Sequence, residues 1–209
     1  MDFMFNNCIN LVSLDLSNLD ISNTTNMSYM FNECKNLKDL KLNNLNTSNV
    51  VDLSYMFNGC ESLISLDLSS FKGSLVDNTM EYMFFNCHNL TSLDLSNLEI
   101  TYTYNLNNIF SGCYSLEYLN LSSFGSSKVK DFSFMFNNCT KLVSLDLSKF
   151  KGSSFNNSME FMFNNCDNLT YLDLSNLDTS LTLNMSYMFN GCNSLTDLKL
   201  SDLNNIICN

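Results

Sequence analysis

Nine cysteines and one histidine are the side chains in this sequence best suited to nucleophilic or metal chemistry. Eight of the cysteines, Cys8, Cys34, Cys60, Cys87, Cys113, Cys139, Cys166 and Cys192, recur at a nearly constant step, once per repeat. Zinc needs four convergent ligands, and the chain has no Cys-x-x-Cys pair. Thiols one repeat apart would point in parallel, a poor geometry for a disulfide. Cysteine also packs well as a small buried hydrophobe. The spacing predicts a column of buried free thiols. Cys208 breaks the period and is the candidate for a reactive or intermolecular thiol. His88 follows Cys87 directly, whereas a nucleophile–base pair needs side chains that face each other. His88 therefore reads as structural or solvated. No Gly-rich phosphate loop or Gly-x-Ser-x-Gly elbow is present. The chain is expected to be no enzyme and to use no cofactor and no metal.

Polar surface residues are the remaining candidates, and they too fall in columns. One reads Asp15, Lys41, Asp67, Asp94, Asn120, Asp146, Asp173, Lys199. Like charges on adjacent strands repel. Lys41, Asn120 and Lys199, each three repeats from the next, relieve that repulsion. A solvated, charge-tempered face is one reading of this column, and a binding face for a protein or glycan is another. A third is a divalent cation at Asp67/Asp94 or Asp146/Asp173, although calcium asks for six to eight oxygens. Two residues before the charged column, most repeats carry Ser or Asp, but Tyr118 and Tyr171 are aromatic, and tyrosine is favoured at contact sites. A further cluster, Tyr102, Tyr104 and Tyr114, falls in the fifth repeat, with Tyr102 and Tyr104 expected in a loop.

The elements that would position these columns follow from the motif Met-Phe-Asn-x-Cys-x-x-Leu-x-x-Leu-x-Leu-Ser-x-Leu, which returns eight times. A strict period of this length marks a solenoid. In the second repeat Leu40 and Leu42 alternate with Asp39, Lys41 and Asn43, a strand with its leucines inward. Met27, Met30 and Phe31 fall at helical spacing after Asn26, a good N-cap. Glu33 in this repeat, and Asn or Gly in the other seven, precedes the cysteine and suits a left-handed helix end. The expected fold is an α/β repeat solenoid of leucine-rich-repeat type. It would have eight strand–loop–short-helix units and one parallel sheet, in a single domain over residues 1–209. A higher repeat, three motifs long, relates Ser17-Asn18-Leu19 to Ser96-Asn97-Leu98, and Phe71-Lys72-Gly73-Ser74 to Phe150-Lys151-Gly152-Ser153. The duplicated unit was a block of three.

Charged residues make up 15% of the chain and the net charge is −11. That balance disfavours nucleic acid and anionic membrane surfaces. No run approaches the ~20 apolar residues of a membrane span. Residues 1–5 match residues 27–31, so the chain opens within a repeat and reads as a fragment of a longer one.

The stretch Asn184-Met-Ser-Tyr-Met-Phe-Asn-Gly-Cys192-Asn-Ser-Leu-Thr-Asp-Leu-Lys-Leu-Ser201 resembles the BspA-like leucine-rich repeat surface proteins, and the likeness extends over essentially the whole chain. The resemblance implies a solenoid that is secreted or displayed on a cell surface, often for attachment to host or matrix proteins. It departs from the common leucine-rich consensus in lacking a buried Asn ladder at the usual place. The expected work is adhesion or protein binding on the strand face. The rival is a structural spacer that associates with copies of itself through its ends, the apolar N-terminal edge of Phe3 and Phe5 above all.

Overall fold

The computed structural model describes residues 1–72, 78–125, 128–151 and 156–200. Cys208 and parts of the Phe71 and Phe150 blocks lie outside them. The chain winds as a β-solenoid of about seven turns, with the eight motif copies one turn apart. Short strands mark the turns: β1 (Ser13–Asp15), β2 (Asp39–Lys41), β3 (Asn78–Thr79), β4 (Ser92–Asp94), β5 (Thr103–Asn105), β6 (Tyr118–Asn120), β7 (Ser144–Leu145), β8 (Asn157–Ser158), β9 (Tyr171–Leu174), β10 (Thr182–Asn184) and β11 (Asp197–Leu200). All pairings are parallel, and equivalent residues face each other, as in Leu14 with Leu40 and Leu93 with Leu119. The alternation in the motif is realised: Leu40 and Leu42 are buried while Asp39 and Lys41 are exposed.

Two expectations are corrected. The strand face is not one sheet. It consists of β1–β2, then β4–β6 with Ser65 bridged to Ser92, then β7–β9–β11. Among the described residues no ladder joins β2 to the Ser65 strand, or β6 to β7, so the breaks fall three turns apart. The continuous spine runs along the opposite ribbon, through Asn26, Asp52, Thr79, Asn105, Asp131, Ser158 and Asn184.

The short helices are also absent: no helix forms among the described residues. Tyr29 and Glu33 adopt left-handed backbone, with φ of 56° and 59°. The amides of Met27, Tyr29, Phe31 and Glu33 donate to the carbonyls of Asp52, Ser54, Met56 and Asn58 in the next turn, at 2.7–3.0 Å. Those of Met30, Asn32 and Cys34 turn back three residues, to Met27, Tyr29 and Phe31. Alternate amides thus serve the neighbouring turn and the local bend. A helix would direct all of them four residues back and leave the next turn unpaired. The residue read as an N-cap still caps: Asn26 Oδ1 accepts from the Ser28 amide at 2.8 Å, and Asp52 Oδ1 from the Ser54 amide at 2.9 Å.

Left-handed backbone costs an ordinary residue ~1–2 kcal/mol, and here side-chain stacks offset it. Phe3, Tyr29, Tyr55 and Tyr82, all left-handed, stack at 4.5–4.6 Å. Asn108 interrupts the column, and Phe134, Phe161 and Tyr187 resume it at 4.7–4.8 Å. A second column from Phe5 to Phe189 runs through the core, with centroids 5.3–5.7 Å apart. The six cysteines from Cys34 to Cys166 are buried beside it. Each thiol of the column from Cys34 to Cys192 donates to the carbonyl of the phenylalanine one turn back, at 3.0–3.3 Å. An asparagine ladder follows the phenylalanines, from Asn6 through Asn32 to Asn58 and again from Asn137 through Asn164 to Asn190. Position 85 is Phe, and the buried Oδ1 of Asn58 has no hydrogen-bond partner among the described residues.

Candidate binding face

The strand face carries the outward column, and each acid in it first serves its own turn. The amides of Ser17, Ser69, Ser96, Ser148 and Ser175 donate to Asp15, Asp67, Asp94, Asp146 and Asp173 at 2.8–3.0 Å. Asn120 receives the Ser122 amide in the same way, at 3.1 Å. The bonded serines hold Asp67, Asp94 and Asp146 below the usual carboxylate range. Lys149 adds to the effect at Asp146 through its charge.

Across strands the column falls into pairs. Lys41 Nζ lies 3.6 Å from Asp15, and Lys199 Nζ lies 3.8 Å from Asp173. Asn120 sits in register with Asp94 and its side chain helps hold that carboxyl low. The three relieving residues each answer the acid of the preceding strand. Asp67 and Asp146, equivalent positions three turns apart, receive no such partner, and among the described residues neither forms an ion pair.

Two shallow cavities flank Asp146. One, of about 300 Å³, opens where the ladder between β6 and β7 is broken, against Glu117, Tyr118, Asn120, Ser144 and Asp146. The other, of about 310 Å³, is lined by Ser144, Asp146, Tyr171, Asp173 and Asn176. The fold therefore brings together Tyr118, Asn120, Asp146, Tyr171 and Asp173 of the predicted face, with Lys199 beside Tyr171. Asp15, Lys41, Asp67 and Asp94 line neither cavity. Ser144, in both cavities, and Glu117, in the first, are not among the predicted binding residues. Ser144 shares the Tyr118 and Tyr171 column, and its small size between two rings is the signal that could have found it.

The tyrosines differ in state. Tyr118 is 56% exposed. Tyr171 is half-buried, donates to Asp173 Oδ2 at 3.2 Å, and receives Lys199 Nζ on its hydroxyl at 3.3 Å and over its ring at 5.5 Å. The hydrogen bond to the Tyr171 hydroxyl, with the nearby Asp173 charge, raises the Lys199 ammonium above its ordinary value. Of the fifth-repeat tyrosines, Tyr102 and Tyr104 share Lys128, which lies 4.6 and 5.9 Å from their ring centres, and Lys130 lies over Tyr104 at 5.1 Å, with Tyr104 in β5 and not in a loop. Tyr114 stacks on His88 at 4.8 Å.

A family model described as "Mycoplasma protein of unknown function, DUF285" matches residues 1–118 and 104–207. No curated protein matches the chain. Among solved structures, a leucine-rich repeat protein from Bacteroides ovatus ATCC 8483 is 20% identical with a TM-score of 0.50, over 92% of this chain and 50% of that one. This chain thus spans about half the length of that relative. A TLR13–ssRNA13 complex matches at 21% identity and a TM-score of 0.40, over 92% and 33% of the two chains. A leucine rich cell surface protein from Faecalibacterium prausnitzii A2-165 matches at 12% and 0.34, over 94% and 75%.

Proposed function

Because the chain belongs to the family described as Mycoplasma protein of unknown function, DUF285, and is a BspA-like leucine-rich-repeat solenoid, we propose that it is a non-enzymatic binding module, displayed on a cell surface, that recognises a protein or glycan through its strand face. One observation carries this reading. The inward Leu, Phe and Cys columns hold nearly constant from turn to turn, while the outward column breaks its own pattern at Tyr118 and Tyr171. A scaffold needs constant inward columns. It does not need a 56% exposed tyrosine beside a break in its sheet. Exposed aromatic groups on a rigid face are the usual anchors of contact.

The test is a glycan and matrix-protein array. The chain is expected to find a binder and to lose it in Tyr118→Ala with Tyr171→Ala, while the thermal melt holds within a few degrees. An array without any binder, or binding untouched by both changes, would sink the reading.

A second reading, self-association through the ends, is favoured by the exposure of Phe3 (52%), Leu183 (75%) and Tyr187 (61%) on the first and last described turns. A further turn of the same kind, from this chain or another, would cover them. Light scattering across a dilution series, with Phe3→Glu and Phe5→Glu as the disrupting pair, decides it. A strictly monomeric chain removes this alternative.

A further inference from the structure

Lys199 shows how this face holds a cation. Its ammonium sits over the Tyr171 ring, on the Tyr171 hydroxyl and 3.8 Å from the Asp173 carboxylate. The parts are an aromatic ring, a carboxylate two residues on, and a basic side chain supplied by the next strand, since β9 and β11 place Asp173 opposite Lys199.

An acid between tyrosines recurs at Asp146 without a basic side chain from the next strand, and the charge that reaches it, that of Lys149, comes from its own turn. Tyr118 stands on one side and Tyr171 on the other, with Ser144 between them. Tyr118 and Tyr171 stand two turns apart, on β6 and β9 with β7 between them, so an aliphatic stem would lie over Ser144 with a ring on either side. The position matching Lys199 on the strand after Tyr118 is Asp146 itself, so the turn offers an acid where its relative offers an amine. Asp146 forms no ion pair among the described residues, and the Tyr118 hydroxyl forms no hydrogen bond among them. The cavities on either side share Ser144 and Asp146. Asp67 is the internal control. It is the equivalent acid three turns earlier, also without a cross-strand partner, and its flanking residues are Asp39, Ser65 and Ser92 where Asp146 has two tyrosines.

We propose that the slot over Asp146, between Tyr118 and Tyr171, takes the ammonium of a lysine side chain from a basic segment of a partner protein. Charge complementarity with a chain of net charge −11 points to a cationic occupant. The paired rings favour an aliphatic stem carrying that charge. This deepens the strand-face reading and rests on it.

The experiment titrates the folded chain with an unstructured Gly/Ser peptide bearing two lysines, and with the same peptide carrying acetyl-lysine, followed by tyrosine ring NMR signals. Asp146→Asn keeps the acceptor for the Ser148 amide and removes only the charge. Asp67→Asn makes the same charge change elsewhere. The lysine peptide is expected to shift the Tyr118 and Tyr171 signals, and Asp146→Asn to weaken binding by up to about fivefold, the upper scale of an exposed ion pair, with the rings left in place. Asp67→Asn should weaken it less than twofold, by long-range charge alone. Equal losses in the two variants, or equal binding of the acetylated peptide, would overturn the slot. The strand-face reading is judged separately, because array binders lost in the double tyrosine variant would uphold it whatever lysine does.

Discussion

The Cys139 thiol donates to the carbonyl oxygen of Phe110, one turn back, at 3.3 Å. That oxygen already receives the Cys113 amide of its own turn at 3.1 Å. The column is thus a set of weak S–H bonds laid along the axis, each tying one bend to the next. Cysteine is small enough for the place and can still donate, which alanine and valine cannot.

The first prediction concerns alkaline pH. Burial pushes the Cys34 thiol up to about 11 and the Cys113 thiol up to about 12, from 9.0. The folded state therefore holds these protons more tightly than the unfolded one. Their contribution is complete below about pH 9 and is lost as pH rises through 11 to 12. Melting temperature should fall steeply across that window, and Cys113→Ala should flatten part of the slope. A melt indifferent to pH between 9 and 12 would contradict the buried column. In the native state near pH 8, a thiol reagent should label the half-buried Cys8 and Cys192 before the buried column.

A second prediction concerns the bend before the cysteine. Gly112 has φ of 77°, and a Cβ there would press into the Asn86 side chain one turn back. Gly112→Ala should cost roughly 1–3 kcal/mol in chemical denaturation, from left-handed strain and crowding. Gly125 has no positive φ and nothing within 4 Å of its would-be Cβ. Gly125→Ala should be neutral or stabilising by up to about 1 kcal/mol. Equal costs at the two sites would refute the account.

A third concerns cooperativity. Phe57 is fully buried between the rings of Phe31 and Phe84, at 5.6 and 5.5 Å. Phe57→Ala should cost roughly 3–5 kcal/mol. Turns touch only their neighbours in a solenoid, so the loss should be local. Hydrogen exchange should quicken in the turns bearing Phe31, Phe57 and Phe84 before it changes around Phe163. Uniform quickening along the chain would argue against a one-dimensional stack.

The inward leucines were legible because alternation leaves one choice: Leu40 and Leu42 face the core or the strand does not exist. The missing helix was not legible. Met27, Met30 and Phe31 meet helical spacing, yet a bend that sends alternate amides across to the next turn buries the same three side chains. The residue before each cysteine did point to left-handed backbone, and even Glu33 obeys. Nothing in Tyr29 as a residue type announced the same conformation, since its stability comes from the rings above and below. The Tyr118 and Tyr171 column could be read from the period. The break between β6 and β7, which opens a cavity beside Tyr118, could not, because the inward leucine columns run through it unchanged.

Each acid of the outward column answers a serine two residues further along, and the side-chain ties from that column to the next strand come only at every third turn. The outer lettering of one turn can therefore be rewritten without unsettling its neighbours. Duplication in blocks of three left Asp67 and Asp146 as twins on an unaltered frame. One twin stands between two tyrosines, and the other has plainer neighbours from which a new specificity could be drafted.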